Sequence, residues 1–405
     1  MNMKKLLTIA LCFAAVGSLS AQKVAVQQAK KLSGKNDKLT EARSLIKEAM
    51  SNPETQNDAE TYFIAGKIEM DAYDNAKKAK AINPNDASVA DMGNNLIQAY
   101  QYFLQALPLD QQPNAKGQIK PVVTKDIYKT LASHAEDFFN LGADAFNAKQ
   151  FYPTAYQAFM TFGDLSAVPE IAKLYAFNPE MVANSYFNAG LSAYSGNQVE
   201  ESAAAFRKAR ENGYPHPESY IYEIACWQNI QNDESRAAEA QQNIMEVAQA
   251  GFKEFGIEQP VFLNNLINVY VMNNDFDQAL AILTPVIEQN PNNGSLLGLR
   301  GFVYDRAGND QASEADYRAA AQKEEIDFET LKNVSKKLLK VGTEQLNQIE
   351  GNSAENQAQR AAIKNNYFVV AQEAVERAGS INPNDPELEG IMERIEYAIS
   401  LISPN

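Results

Sequence analysis

Apolar residues recur every three or four positions along most of the chain, and the strict alternation of a half-buried strand is scarce. The stretch "FLNNLINVYVMNNDFDQALAILTPVIEQNPNN" at 262–293 shows the layout: one helical stripe, a polar break at "NNDFD", a second stripe, then Asn and Pro. "LLGLRGFVYDRAGNDQASEADYRAAAQ" at 296–322 repeats it, with Tyr270 and Tyr304 standing 34 residues apart. "DFFNLGADAF" (137–146) and "SYFNAGLSAY" (185–194) are first stripes of the same kind, and "EESAAAFRKA" (200–209) is a second one. A fixed period of this length predicts an array of helical hairpins, each stable only when stacked on its neighbours.

The breaks between stripes are built from Asn, Pro and Asp. In "INPND" at 381–385 the Pro blocks the preceding helix, and Asp385 is an apt N-cap for the next, with Pro386 in its first turn. "QNPNN" at 289–293 has the same role. The copy at 82–86 falls inside an enlarged hairpin, where Asp86 is expected to cap a helix beginning near Ala87. Two units are oversized. "YFIAG" (62–66) and "AYQYFLQALPLD" (99–110) are far apart, and "EGNSAENQAQ" separates "KVGTEQL" (340–346) from "AQEAVERAGSINPND" (371–385), which predicts elongated helices or an extra short helix. "PLDQQPNAKGQIKPVVTKDI" at 108–127 breaks the helical pattern with three prolines and a glycine. The resulting division is N-terminal hairpins at 22–107, a loop or hinge at 108–125, a repeat array at 126–385 and a capping helix at 386–405. Because both flanks continue the same pattern, a surface loop packed on the array is favoured over a free hinge.

These stretches resemble the tetratricopeptide repeat, a 34-residue helical hairpin with small or aliphatic residues in the middle of its first helix, Ala and an aromatic along its second, and Pro at its end. In the unit 260–293 the pattern is filled by Leu263, Leu266, Tyr270, Ala279, Leu283 and Pro291, with Val286 where Ala is usual. The next unit supplies Gly301, Tyr304, Gly308, Tyr317 and Ala320, and the unit from about 183 supplies Tyr186, Ala189, Gly190, Phe206 and Ala209. Ile267 departs from the usual Gly, and Ser202 and Ser313 from the usual Ala. Extending the register gives units at 22–53, 57–113, 126–175, 181–217, 218–258, 260–293, 294–326 and 328–385. The resemblance implies an all-α fold, a right-handed superhelix (α-solenoid) of tetratricopeptide-like hairpins whose first helices line a concave groove. It also implies partner contacts at Phe139, Phe146, Phe187, Leu191, Tyr194, Asn264, Asn268, Phe302 and Asp305. Rings beside carboxamides suit an extended peptide, whose backbone the amides can pair. That set contains no Lys or Arg to clamp a terminal carboxylate.

At the N-terminus, Lys4 and Lys5 precede an apolar run from Leu6 to Val16 and then "GSLSA". The run is about half of the ~20 residues a membrane span needs. It predicts a signal peptide at 1–21, cut after Ala21, and hence an exported protein of the periplasm or cell surface. Cys12 follows Leu11 and lies inside the apolar run, which argues against a lipid anchor. Losing the two lysines moves the formal charge from −15 to −17, a surface that repels phosphate backbones and argues against nucleic acid as a partner. Cys226 alone would remain, so no intramolecular disulfide forms, and "EIACWQN" places this thiol on an apolar helix face.

Candidate chemistry is thin. His134 and His216 have no His or Cys partner at metal spacing, and "NNDFDQ" lacks the Gly and Glu of a calcium loop. No phosphate-binding glycine loop, nucleophile elbow or zinc-binding helix motif is present. The sequence therefore points to a non-enzymatic scaffold without cofactor or metal that holds a protein or peptide partner in its groove. The alternatives are a glycan-binding module of an uptake system and, further off, an all-helical glycan-cleaving enzyme.

Overall fold

In the computed structural model, residues 23–83, 88–114 and 116–402 are described. Helices account for the regular structure of these residues; the β pairing found among them is a single bridge between Asn293 and Glu325. The chain forms two compact units, one up to Asn243 and one from Ile244. The expected signal peptide and Cys12 lie outside the described residues.

The first unit holds α1 (residues 23–32), α2 (Leu39–Ser51), α3 (Ala59–Ile82), α4 (Val89–Asp110), α5 (Thr124–Ser133), α6 (Ala135–Asn147), α7 (Tyr152–Ser166), α8 (Pro169–Ala172), α9 (Pro179–Ser195), α10 (Val199–Glu211) and α11 (Glu218–Ile230), and α12 (Ala237–Phe255) begins there. α3 pairs with α4, α6 with α7 and α9 with α10, while α7 also packs on α9 and α10 on α11. The second unit pairs α13 (Pro260–Met272) with α14 (Phe276–Gln289), and α15 (Gly294–Arg306) with α16 (Asp310–Ala321). It also pairs α17 (Phe328–Asn347) with α19 (Val369–Ile381), which follows α18 (Ala354–Ile363) and a π-helical turn at Lys364–Phe368. α14 packs on α15 and α16 on α17, and α20 (Pro386–Ile402) covers α17 and α19 with Leu388, Ile391, Ile395 and Ala398.

Close approach within a hairpin has a recurring cause. A Cβ at Gly190 would stand 2.6 Å from ring carbons of Phe206, and one at Gly142 would stand 2.8 Å from Phe159. Only a residue with no side chain lets the first helix settle onto the ring of the second. Gly301 faces Tyr317 in the same way, more loosely at 3.4 Å. The contact recurs in both oversized units, at Gly66 with Phe103 and at Gly342 with Phe368, so these are true hairpins with lengthened helices. In the unit 260–293, where Ile267 replaces the Gly, the facing position holds Leu283, and both are fully buried in one core. In four hairpins the turn after the first helix is left-handed, at Lys149 (φ 55), Asn197 (φ 57), Asn274 (φ 59) and Gly308 (φ 75). There the following N–H reaches back to close the helix, as Gln198 does to Ala193 O at 2.8 Å and Asn309 to Tyr304 O at 2.9 Å.

The Asn-Pro breaks act as caps. Asp385 Oδ1 accepts the N–H of Glu387 at 2.9 Å, and Asn293 Oδ1 accepts that of Leu296 at 3.1 Å. The first copy differs: α4 starts at Val89, later than expected, and Ser88 caps it by accepting the Asp91 N–H at 3.0 Å. Residues 84–87, Asp86 among them, lie outside the described residues. The proline-rich segment is shorter than expected, because Pro108 lies inside α4, which runs on to Asp110. The buried Asp110 carboxylate accepts the N–H groups of Val122, Val123 and Thr124 at 2.8–3.0 Å and the Thr124 hydroxyl at 2.7 Å. Four donors on one carboxylate fasten residues 122–124, at the far end of the segment, to the end of α4.

Candidate functional site

In the first unit, the five sequence-derived contact residues fall on α6 and α9, the first helices of their hairpins. Phe139 packs edge-on against Phe159 and Phe162, each at 5.4 Å, and Phe146 against Tyr152 at 5.8 Å. Phe187 stacks on Tyr214 at 4.2 Å with the rings 11° from parallel, and also meets Phe206 at 5.5 Å. These three rings are half-buried and hold the two helices of their own hairpins together, so their first duty is packing. Leu191 is half-buried against the cluster of Ala203, Phe206 and Cys226. Tyr194 is 46% exposed, with the Tyr222 ring of α11 at 6.1 Å. Tyr194 therefore presents an open ring on α9, beside the half-buried Tyr222 of α11, which itself stacks on Phe206 at 5.3 Å.

In the second unit three of the four expected residues converge. Asn264 and Asn268 of α13 and Phe302 of α15 line a cleft of about 220 Å³ together with Leu299 and residues of α17. Its floor depends on Gly298: a Cβ there would collide with the methyl group of Thr330, so the bare glycine lets α15 and α17 close. Asn264, Asn268 and Asn333 carry carboxamides with no hydrogen bond to a described residue, although each has two donors and an acceptor. Asp327 and Glu329 add negative charge at one wall, where Asp327 also caps α17 by accepting the Thr330 N–H at 2.7 Å. Thr330 and Asn333 were not foreseen from the sequence, because α17 opens an oversized unit whose register is hidden by its inserted length; Leu299 of α15 was not singled out either.

Asp305 is taken. Its carboxylate pairs with the buried Lys337 of α17, which also reaches Asp310 at 2.7 Å. Burial by itself would lower the Lys337 pKa, but hydrogen bonds to both carboxylates outweigh it and hold the amine above its ordinary value. This residue therefore locks the α15–α16 turn to α17, and Asp305 is not a free groove contact.

The histidines and the cysteine have local partners. His134, half-buried, places Nδ1 at 2.8 Å from Thr130 O and Nε2 at 3.1 Å from Asp74, bridging the end of α5 to α3. His216 lies edge-on to Tyr214. Cys226 is fully buried, its Sγ 3.4 Å from Ser202 Oγ, and burial raises its thiol pKa. Among the described residues no group of three or more His, Cys, Asp and Glu side chains could hold a metal ion, and no helix is long and apolar enough to cross a membrane.

No family model matches the chain, and no curated protein does. Among solved structures it is similar to a TPR repeats protein from Bacteroides fragilis, at 16% identity over 65% of this chain and 98% of that one, with a TM-score of 0.31. It is also similar to yeast Tom70, at 14% identity over 94% and 91% of the two chains and a TM-score of 0.29. A third likeness is to the TPR2AB domain of yeast Sti1 in a complex with pHSP90, at 12% identity, 80% and 98% coverage and a TM-score of 0.22.

Proposed function

We propose that the chain is a non-enzymatic, exported scaffold that holds an extended segment of a protein partner against the first helices of its hairpins. The observation that carries this reading is the cleft on α13, α15 and α17, where unpaired carboxamides at Asn264, Asn268 and Asn333 surround the half-buried Phe302. An extended segment presents alternating N–H and C=O groups that such amides can pair, while Phe302 and Leu299 take an apolar side chain. Asp327 and Glu329 favour a segment that is neutral or basic over an acidic one. On the first unit, taken by itself, the exposed Tyr194 ring beside the half-buried Tyr222 is a candidate contact of its own. Export to the periplasm or cell surface rests on the Lys4, Lys5, apolar-run and "GSLSA" pattern of the N-terminus.

The test is capture of partners from cell-envelope extracts by the wild-type chain and by an Asn268→Ala/Phe302→Ala variant. Phe187 is unsuitable for this purpose, because it supports the core. Loss of a captured protein with an unchanged thermal midpoint is expected, and capture by the variant equal to wild type would remove the cleft from consideration. Export is checked by sequencing the N-terminus of the protein recovered from the periplasmic or surface fraction, which should begin at Gln22.

A further inference from the structure

A second recess lies in the first unit, on a face built mainly from the second helices α4 and α7. It measures about 510 Å³, within the ~300–1,000 Å³ typical of small-ligand sites. Asn94, Asn95, Gln98 and Gln101 of α4 and Gln157 of α7 bring five carboxamides to it. A polar stripe on a helix is ordinarily a solvated face, but two features distinguish this one. The side chains of Asn94, Gln98, Gln101 and Gln157 make no hydrogen bond to any described residue, although they converge on a shared concavity. The Asn95 amide, by contrast, is oriented: Arg43 donates to its Oδ1 at 2.9 Å, which turns its two N–H donors away from the guanidinium.

The electrostatics select the ligand class. Arg43 is held by Glu69, which is 8% exposed and accepts Nε at 2.8 Å and a second, shorter guanidinium bond. Arg43 is therefore a neutralised cation and does not offer a free charge to a phosphate or carboxylate. Asp91 at the rim accepts the Ser88 hydroxyl at 2.7 Å and repels anions. A partner for five amides without net cationic charge must supply many neutral groups that both donate and accept. Vicinal hydroxyls do this, and the half-buried Tyr102 ring, with Ile97, supplies the apolar surface on which the C–H face of a pyranose packs. The approach of the two helices is fixed by Gly93, where a Cβ would stand 2.6 Å from the Thr154 methyl, so the recess is preformed.

We infer that this recess is a binding site for a neutral oligosaccharide, separate from the partner-binding surface and independent of it. The walls that carry the amides are second helices, so filling it leaves the first-helix face of α6 and α9 free. The test is saturation-transfer NMR and calorimetry on the full chain with maltotetraose, cellotetraose, mannotetraose and chitotetraose, and with polygalacturonate and heparin oligosaccharides as anionic comparators. At least one neutral tetrasaccharide is expected to bind saturably. Gln98→Ala/Gln101→Ala, with an unchanged circular dichroism spectrum and thermal midpoint, should weaken it about tenfold, the effect of losing two neutral hydrogen bonds. The Asn268→Ala/Phe302→Ala variant should bind it as wild type does. No saturable binding of any neutral tetrasaccharide up to about 10 mM, a free-energy scale of ~3 kcal/mol, would overturn the site. So would binding confined to the anionic comparators, or binding that survives loss of both glutamines.

Discussion

Gly190 and Gly142 matter for what they lack: each lies under a phenyl ring that leaves no room for a methyl group. Gly190→Ala should therefore cost about 1–3 kcal/mol, seen as a lower urea midpoint at an unchanged slope. Lys149 presents the opposite case. It adopts φ 55 in a turn whose equivalents are Asn197, Asn274 and Gly308, so a long side chain sits where Asn or Gly is favoured. Lys149→Gly should raise stability by about 0.5–1 kcal/mol in the same assay, because the strain removed exceeds the added chain entropy. Cys226 is fully buried, with a thiol pKa raised by burial, and should react with a thiol reagent only after denaturant is added. The burial of Cys226 was legible in "EIACWQN". The engagement of Asp305 by Lys337 was not, because the two carboxylates and the amine come from elements 27 and 32 residues apart in sequence.

At the scale of elements, the loop after α4 depends on one carboxylate. Burial alone would raise the Asp110 pKa, but the bonds from Val122, Thr124 and Val123 outweigh it and hold the carboxyl below its ordinary value. A carboxyl depressed in the folded state stabilises fully above its unfolded pKa of about 4, and that contribution is lost as pH falls through the folded value. Protection of the Val122, Val123 and Thr124 amides from hydrogen exchange should accordingly disappear on acidification, and Asp110→Ala should abolish it at neutral pH. Helix α5 and the hairpins should keep their protection in that variant. The sequence marked this segment through its prolines, yet it placed Pro108 in the loop. Within α4 the ring removes the N–H that would bond back one turn, to Leu104 O, and packing of Leu107 and Leu109 on the core outweighs that one missing donor.

At the scale of the molecule, each hairpin depends on the next for burial. The cap α20 shields the end of the second unit with Leu388, Ile391 and Ile395, all in its main core cluster. Deleting residues 386–402 should therefore lower amide protection most in α19 and α17 and progressively less in α15 and α13. Equal loss across the second unit would mean that it unfolds as one block.

The repeat period, the helical fold and the cap positions at Asn293 and Asp385 are written in the sequence, because they depend on neighbours within a turn or on a spacing fixed by one hairpin. The two oversized hairpins obey the same contact rule, Gly66 against Phe103 and Gly342 against Phe368, but their partners stand 37 and 26 residues apart, outside any fixed period. Which carboxamides stay unpaired, which rings are spent on packing and which carboxylate is claimed by a lysine were decided only by the tertiary structure. The physical reason is that a side chain's freedom depends on every helix that packs around it, and a linear pattern records only its own.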